Sequence, residues 1–200
     1  MTVTAKRQSQ AERRETSERR LFDALVTIIN RDGIQAATCE RIADEAGYSP
    51  GMVIQRLGRR DRMFARLVDR LTAAQRATLA RLGVDDMPAA DAMRTYIDVH
   101  FDDLERDAGY NAYFVLVAGT LTVEPSLKSS VDGANRMVRD IMTGFIQRGQ
   151  REGDFPPELD AVDHAIRIGC LMMGAAIQHR LLPDMSLDGA RRAAKVLIPT

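Results

Sequence analysis

Residues 38–57 read TCERIADEAGYSPGMVIQRL, and the fold turns on this stretch. Thr38 is a strong helix N-cap, because its hydroxyl oxygen can accept from a free amide of the first turn. Ile42, Ala43 and Ala46 follow at helical spacing and form one apolar face. Gly47 can turn the chain with positive φ, where a side chain would clash. Ser49 caps the next helix and Pro50 takes its first position, where a missing amide hydrogen does no harm. Ala43 is small where a second helix must cross closely, and Val53 and Leu57 supply the buried side of that helix. Met52, Gln55 and Arg56 are left facing outward, and Gln and Arg pair bidentately with adenine and guanine. The pattern predicts a helix-turn-helix.

The flanks extend this unit. Leu21, Phe22, Leu25, Val26, Ile28 and Ile29 mark an amphipathic helix that stops at Asp32 and Gly33. Downstream, Met63, Phe64, Leu67, Val68 and Leu71 recur at spacings of three and four in a long helix beginning near Asp61. The 200 residues carry 28 basic and 28 acidic side chains, a formal net charge of zero that looks wrong for a nucleic-acid binder. Their distribution is uneven: residues 1–70 hold 14 Lys and Arg against 10 Asp and Glu, and the remainder holds 14 against 18. A basic first part and an acidic remainder suit a protein whose one end meets phosphate.

Residues 20–66, with Gly33, Thr38, Ile42, Ala43, Ala46, Gly47, Ser49, Gly51 and Arg60 in place, resemble the TetR family of bacterial transcriptional regulators. The resemblance implies an all-α chain, with a three-helix DNA-binding head over residues 1–60 and a helical bundle over 61–200 for effector binding and dimerisation. It implies that Thr38, Arg60 and a basic arm (Lys6, Arg7, Arg13, Arg14) hold phosphates. Ser49, Pro50 and Gly51 open the recognition helix, and Met52, Gln55 and Arg56 face the bases. The match has departures. Ile54 stands where the family usually has a Tyr that touches a phosphate, and Arg56-Leu57 replaces a usual His-Phe. Arg60 keeps the cation of a usual Lys. Operator preference therefore cannot be inherited.

Beyond Leu71 the chain reads as helical throughout. Met93, Tyr96, Ile97, His100, Phe101 and Leu104 form a stripe that Ala108 and Gly109 interrupt. The run Tyr113-Phe114-Val115-Leu116-Val117 is apolar on all sides and reads as a buried helix, with a short strand as the alternative. Val131, Ala134, Met137, Val138, Ile141, Met142, Phe145 and Ile146 mark a further helix closed by Gly149 to Gly153. From Ala165 to Ile177 the chain is almost continuously apolar and rich in small residues. Such a helix must be covered on two sides. The family likeness makes the cover a second subunit, and the alternative is the central helix of a monomer. A final helix has one apolar edge, with Leu187, Ala190, Ala194, Leu197 and Ile198.

Ten methionines and few charges on the inward faces suit a cavity for a small, largely apolar effector, expected to touch Tyr96, His100, Tyr113, Phe114, Met137 and Ile141. By the resemblance the chain is a homodimeric repressor that leaves a double-stranded operator when the effector binds. The rivals are an effector-independent regulator and a helical-bundle enzyme or ligand carrier with an inactive head. No catalytic or metal signature is visible, since His100, His164 and His179 are scattered and the Gly-x-x-x-x-Gly from Gly144 to Gly149 lacks its Lys, so no enzyme activity, metal or cofactor is expected. Asp102, Asp103 and Glu105 read as a solvated face. Cys39 and Cys170 lack metal-ligand spacing, and no apolar run approaches a signal peptide or a membrane span, so a cytoplasmic protein is expected.

Overall fold

Ser9 and Glu12 start the first helix by capping each other. The Ser9 hydroxyl oxygen accepts from the Glu12 amide at 3.1 Å and the Glu12 carboxylate accepts from the Ser9 amide at 2.7 Å, so two otherwise free donors are satisfied. In the computed structural model, which describes residues 9–121 and 125–199, this helix is α1 (Gln10–Asp32). It buries Leu21, Phe22, Leu25, Ile28 and Ile29 and ends at Gly33, whose φ is 85°. A 3-10 turn (Ile34–Ala36) leads to α2 (Cys39–Ala46), α3 (Pro50–Leu57) and α4 (Arg60–Leu82).

The chain divides into two compact units, one up to Leu67 and one from Val68 onward. The division falls within α4, whereas the sequence reading separates the head at the start of that helix. Met63, Phe64 and Leu67 are buried, which explains why the first turns of α4 belong to the first unit.

The second unit contains α5 (Ala89–Arg106), α6 (Ala108–Thr120), α7 (Lys128–Glu152), α8 (Ala161–Leu181) and α9 (Asp188–Val196). No strand occurs among the described residues, and residues 113–117 are helical. The break between α5 and α6 is set by Asp107, whose carboxylate caps α6 by accepting from the Tyr110 amide at 2.8 Å. Gly149 lies inside α7, which ends at Gly153 with φ 84°. A Cβ on Gly149 would sit 2.2 Å from the Phe155 ring, so this glycine admits a buried aromatic ring. α7 packs on α5 and α8, α9 packs on α5 and α8, and α6 packs on α5, α7 and α8.

The carboxylates of α5 are not a merely solvated face. Arg191 of α9 pairs with Asp102 at 2.8 Å, Asp98 at 3.4 Å and Glu105 at 3.7 Å, and Lys195 reaches Asp98 at 2.7 Å. Two basic residues one turn apart on α9 meet an acidic edge of α5, which helical spacing makes available.

Candidate nucleic-acid interface and internal cavity

In the first unit the helix-turn-helix is built by complementary local signals. The Thr38 hydroxyl accepts from the Arg41 amide at 3.3 Å, and the Ser49 hydroxyl accepts from the Met52 amide at 3.3 Å. Gly47 is left-handed, φ 73° and ψ 37°, and the Tyr48 amide donates back to the Ala43 carbonyl at 2.9 Å. Ile42, Ala43, Val53 and Leu57 are fully buried, which fixes the rotation of α3 about its axis. Ser49, Pro50, Gly51, Ile54 and Gln55 are consequently exposed, while Met52 and Arg56 are half-buried. The Arg56 Nε is buried without a hydrogen-bond partner, so this side chain is less free than Gln55.

Arg60 has a role that the sequence reading missed. Its guanidinium donates to the Ile34 carbonyl at 2.7 Å and the Ala37 carbonyl at 2.9 Å, and lies 4.8 Å from the centre of the Phe64 ring. The residue expected at a phosphate thus also clasps the turn that precedes α2. Arg66 acts similarly: it pairs with Glu18 of α1 and donates to the Arg56 carbonyl at the end of α3. Arg41 is paired with Asp32, and Arg31 reaches Asp32 and Glu45, each at 3.1 Å. Of the basic arm, Arg13 and Arg14 are exposed on α1, whereas Lys6 and Arg7 lie outside the described residues.

In the second unit a cavity opens among five helices. α4 contributes Leu71, Thr72 and Gln75, α5 contributes Tyr96 and His100, and α6 contributes Tyr110, Tyr113 and Phe114. α7 adds Ala134, Asn135 and Val138, and α8 adds Gly169, Met172 and Met173. About 60 Å³ is open to the centres of water molecules. Four of the six expected cavity residues therefore meet: Tyr96, His100, Tyr113 and Phe114.

Met137 and Ile141 do not line the cavity. Met137 is one residue from Val138, roughly 100° round the helix at 3.6 residues per turn, and faces a surface groove. There its Sδ accepts from the Arg76 Nε at 2.7 Å, and Ile141 lies in the same groove. Both sit on an apolar stripe wide enough to serve two surfaces, so spacing alone could not choose. Gln75, Tyr110 and Asn135 were missed because their polarity hid them from a search for apolar stripes.

The cavity's polar groups form a chain. His100 Nε2 faces the Met172 carbonyl at 3.3 Å, and a carbonyl only accepts, so this nitrogen carries the proton. Nδ1 is then an acceptor, and the Tyr110 hydroxyl donates to it at 2.6 Å. The Gln75 amide donates to the Tyr110 oxygen at 3.4 Å, and the Tyr113 hydroxyl donates to Asn135 at 3.0 Å. The His100 ring stands edge-on to Phe101, Tyr110 and Phe114. Burial raises all three tyrosine hydroxyls above the ordinary phenol range, so they stay protonated.

Burial also pushes His100 down to about 4, opposed by the Met172 carbonyl and assisted by Arg191. Between the ordinary imidazole value and that one, the unfolded chain takes up a proton that the folded chain refuses. Stability is therefore lost as pH falls from roughly 6.5 towards 4. Asp103 works in the opposite sense. Burial, then Asp107 and Asp102, raise it to about 6, so the folded chain is protonated first and gains as pH falls through that value. His100→Gln should flatten the acid-side loss by about 3 kcal/mol, and Asp103→Asn should steepen it. Urea unfolding between pH 7 and 4 would measure both, and an unchanged profile in His100→Gln would show that His100 takes up its proton equally in both states.

The remaining chemistry-bearing residues do not assemble. No group of three His, Cys, Asp or Glu residues placed to hold a metal occurs among the described residues. Cys39 is half-buried and Cys170 exposed, both as free thiols, and burial raises the Cys39 thiol, which lowers its reactive thiolate fraction. No helix among the described residues is long and apolar enough to cross a membrane.

No protein-family model matches the chain, and no curated protein does. Solved structures are similar over nearly the whole length. A fatty acid degradation regulator, FadR from Bacillus halodurans, superposes with a TM-score of 0.81 at 15% identity, over 96% of each chain. A TetR-family transcriptional regulator from Agrobacterium tumefaciens gives 0.80 at 17%, over 94% of this chain and all of that one. A TetR transcription regulator from Haloarcula marismortui gives 0.80 at 19%, over 92% and 97%. The class is thereby defined: an all-helical chain with a helix-turn-helix near its start and a larger helical bundle later in the sequence. Its fold is that of the TetR-family transcriptional regulators, and the proteins that share it here are regulators rather than enzymes.

Proposed function

We propose that this protein is a dimeric DNA-binding transcriptional regulator, a repressor that leaves its operator when a small molecule enters the bundle. The observation that carries this reading is the exposed face of α3. Gln55 and Ile54 stand outward from a helix whose other side is locked by Val53 and Leu57. That geometry suits a helix lying in the major groove, with Gln55 and Arg56 at base edges. Thr38 and Ser49 mark the N-termini of α2 and α3, where free amides and the helix dipole favour phosphate. Pro50, Gly51 and Met52 form the first turn that enters the groove. Lys6, Arg7, Arg13 and Arg14 would add backbone contacts, and Arg60 acts by holding the turn before α2 in place.

Two copies are needed to read a long operator. α8 offers the surface: Val162 and Ile166 are each 45% exposed, and Cys170, Gly174 and Leu181 continue the same edge at spacings of four and seven. A Cβ on Gly174 would meet nothing within 4 Å, which leaves room for a neighbouring backbone. The groove between α7 and α8, lined by Met142, Ile166, Met173 and others, lies on this side.

A mobility-shift assay on the DNA beside its own gene tests the reading. Gln55→Ala should cost about 1–3 kcal/mol and relax preference at one position per half-site. A uniform loss on all sequences would move Gln55 to the DNA backbone. The modest size of the cavity favours a second reading, a regulator without an effector. That reading gains if no small molecule changes operator affinity.

A further inference from the structure

The cavity's chemistry narrows what it can hold, an inference that rests on reading it as the effector site. Among the described residues no Lys, Arg, Asp or Glu side chain lines it. Its titratable lining is three tyrosines and one histidine, all held neutral by burial. An ionised ligand would leave water without a counter-charge, which is strongly unfavourable in a buried site. An ionised carboxylate or ammonium therefore has nothing to meet.

One group is unused. The Tyr96 hydroxyl is buried with no partner at normal hydrogen-bond distance: its one weak neighbour is the Gln75 side chain, whose amide donates to Tyr110 instead. The other hydroxyls are engaged: Tyr110 donates to His100, and Tyr113 donates to Asn135. A buried, unpaired donor is costly, and an acceptor on a ligand would relieve it. Around it the walls present aromatic edges from Tyr110 and Phe114 and the flexible side chains of Met172 and Met173. Such walls suit a flat, polarisable body. The open space of about 60 Å³ is smaller than the roughly 150 Å³ of a cavity that takes benzene, so an aromatic ring enters only as the flexible side chains of Met172 and Met173 swing aside.

We propose that the cavity binds an uncharged aromatic carbonyl compound whose oxygen accepts from the Tyr96 hydroxyl, and that it rejects the corresponding carboxylate. Three probes of similar size separate the contributions: acetophenone (neutral, with an acceptor), ethylbenzene (neutral, without one) and benzoate (ionised at pH 7). Binding is measured by calorimetry on the full chain in the absence of DNA. Acetophenone should bind about tenfold more tightly than ethylbenzene, and benzoate at least a hundredfold more weakly than acetophenone. Tyr96→Phe should erase the preference of acetophenone over ethylbenzene. It should melt close to the parent, because the hydroxyl it removes has only a weak contact with Gln75.

Benzoate binding as tightly as acetophenone would overturn the proposal, as would failure of acetophenone to bind at millimolar concentration. Should Tyr96→Phe not fold, the order of the three probes on the parent protein decides alone. Operator affinity with and without acetophenone is measured separately. Binding without any change in operator affinity would leave the ligand class standing and remove the effector role.

Discussion

If the proposed dimer forms through α8, Ile166→Asp should convert it to monomer. Ile166 is 45% exposed on the protomer, on the apolar edge of α8, so an Asp there is tolerated by the isolated chain. In a two-fold contact the same residue enters from both sides, and each carboxylate would be buried without a partner. An uncompensated buried charge costs about 3–5 kcal/mol, enough to weaken association by more than roughly a hundredfold. Sedimentation velocity at micromolar concentration should show monomer, with helical content by circular dichroism unchanged. Operator affinity should fall with it, because a lone head reads half a site. A dimer that survives the substitution would place the interface on another surface.

Arg60→Ala should destabilise the first unit by about 2–4 kcal/mol. The guanidinium supplies two charge-assisted hydrogen bonds to the Ile34 and Ala37 carbonyls; such bonds contribute about 1.5–3 kcal/mol each when buried, and the partial exposure of Arg60 reduces the pair below that sum. Arg60→Lys decides between a clasp and a phosphate contact. A lysine keeps the charge, but its point-like ammonium cannot bridge two carbonyls as a planar fork does. If Arg60 acts as a clasp, the lysine variant should lose much of the stability and of the hydrogen-exchange protection from Ala36 to Arg41. If it chiefly held phosphate, stability would be kept in both variants, and only the alanine variant would show a shallower dependence of binding on salt.

The two arginines that organise the head show where sequence reading reaches its end. Thr38, Gly47, Ser49 and Pro50 act on their own neighbours within four residues, so their roles follow from order along the chain. The start of α1 was equally available, since Ser9 followed three residues later by Glu12 is the sequence signature of a capping box. Arg60 and Arg66 act across more than twenty and more than forty residues, on Ile34 and Glu18. Nothing in their spacing distinguishes a clasp from a free cation.

The cavity divides along the same line. Tyr96 and His100 were legible because a one-turn repeat on an apolar stripe must face inward. Met137 and Ile141 obey the same periodicity, yet α7 has two occupied sides, and only its packing against α5 and α8 decides which residue sees the cavity. Gln75, Tyr110 and Asn135 enter it because neighbouring helices satisfy their polar atoms, a property of pairs distant in sequence. The chain alone determined the helices, their caps and the outward side of α3, since those depend on periodicity and on bonds within one turn. Tertiary structure decided which buried groups meet and which hydroxyl is left unpaired, because hydrogen bonding between helices depends on where each one lands.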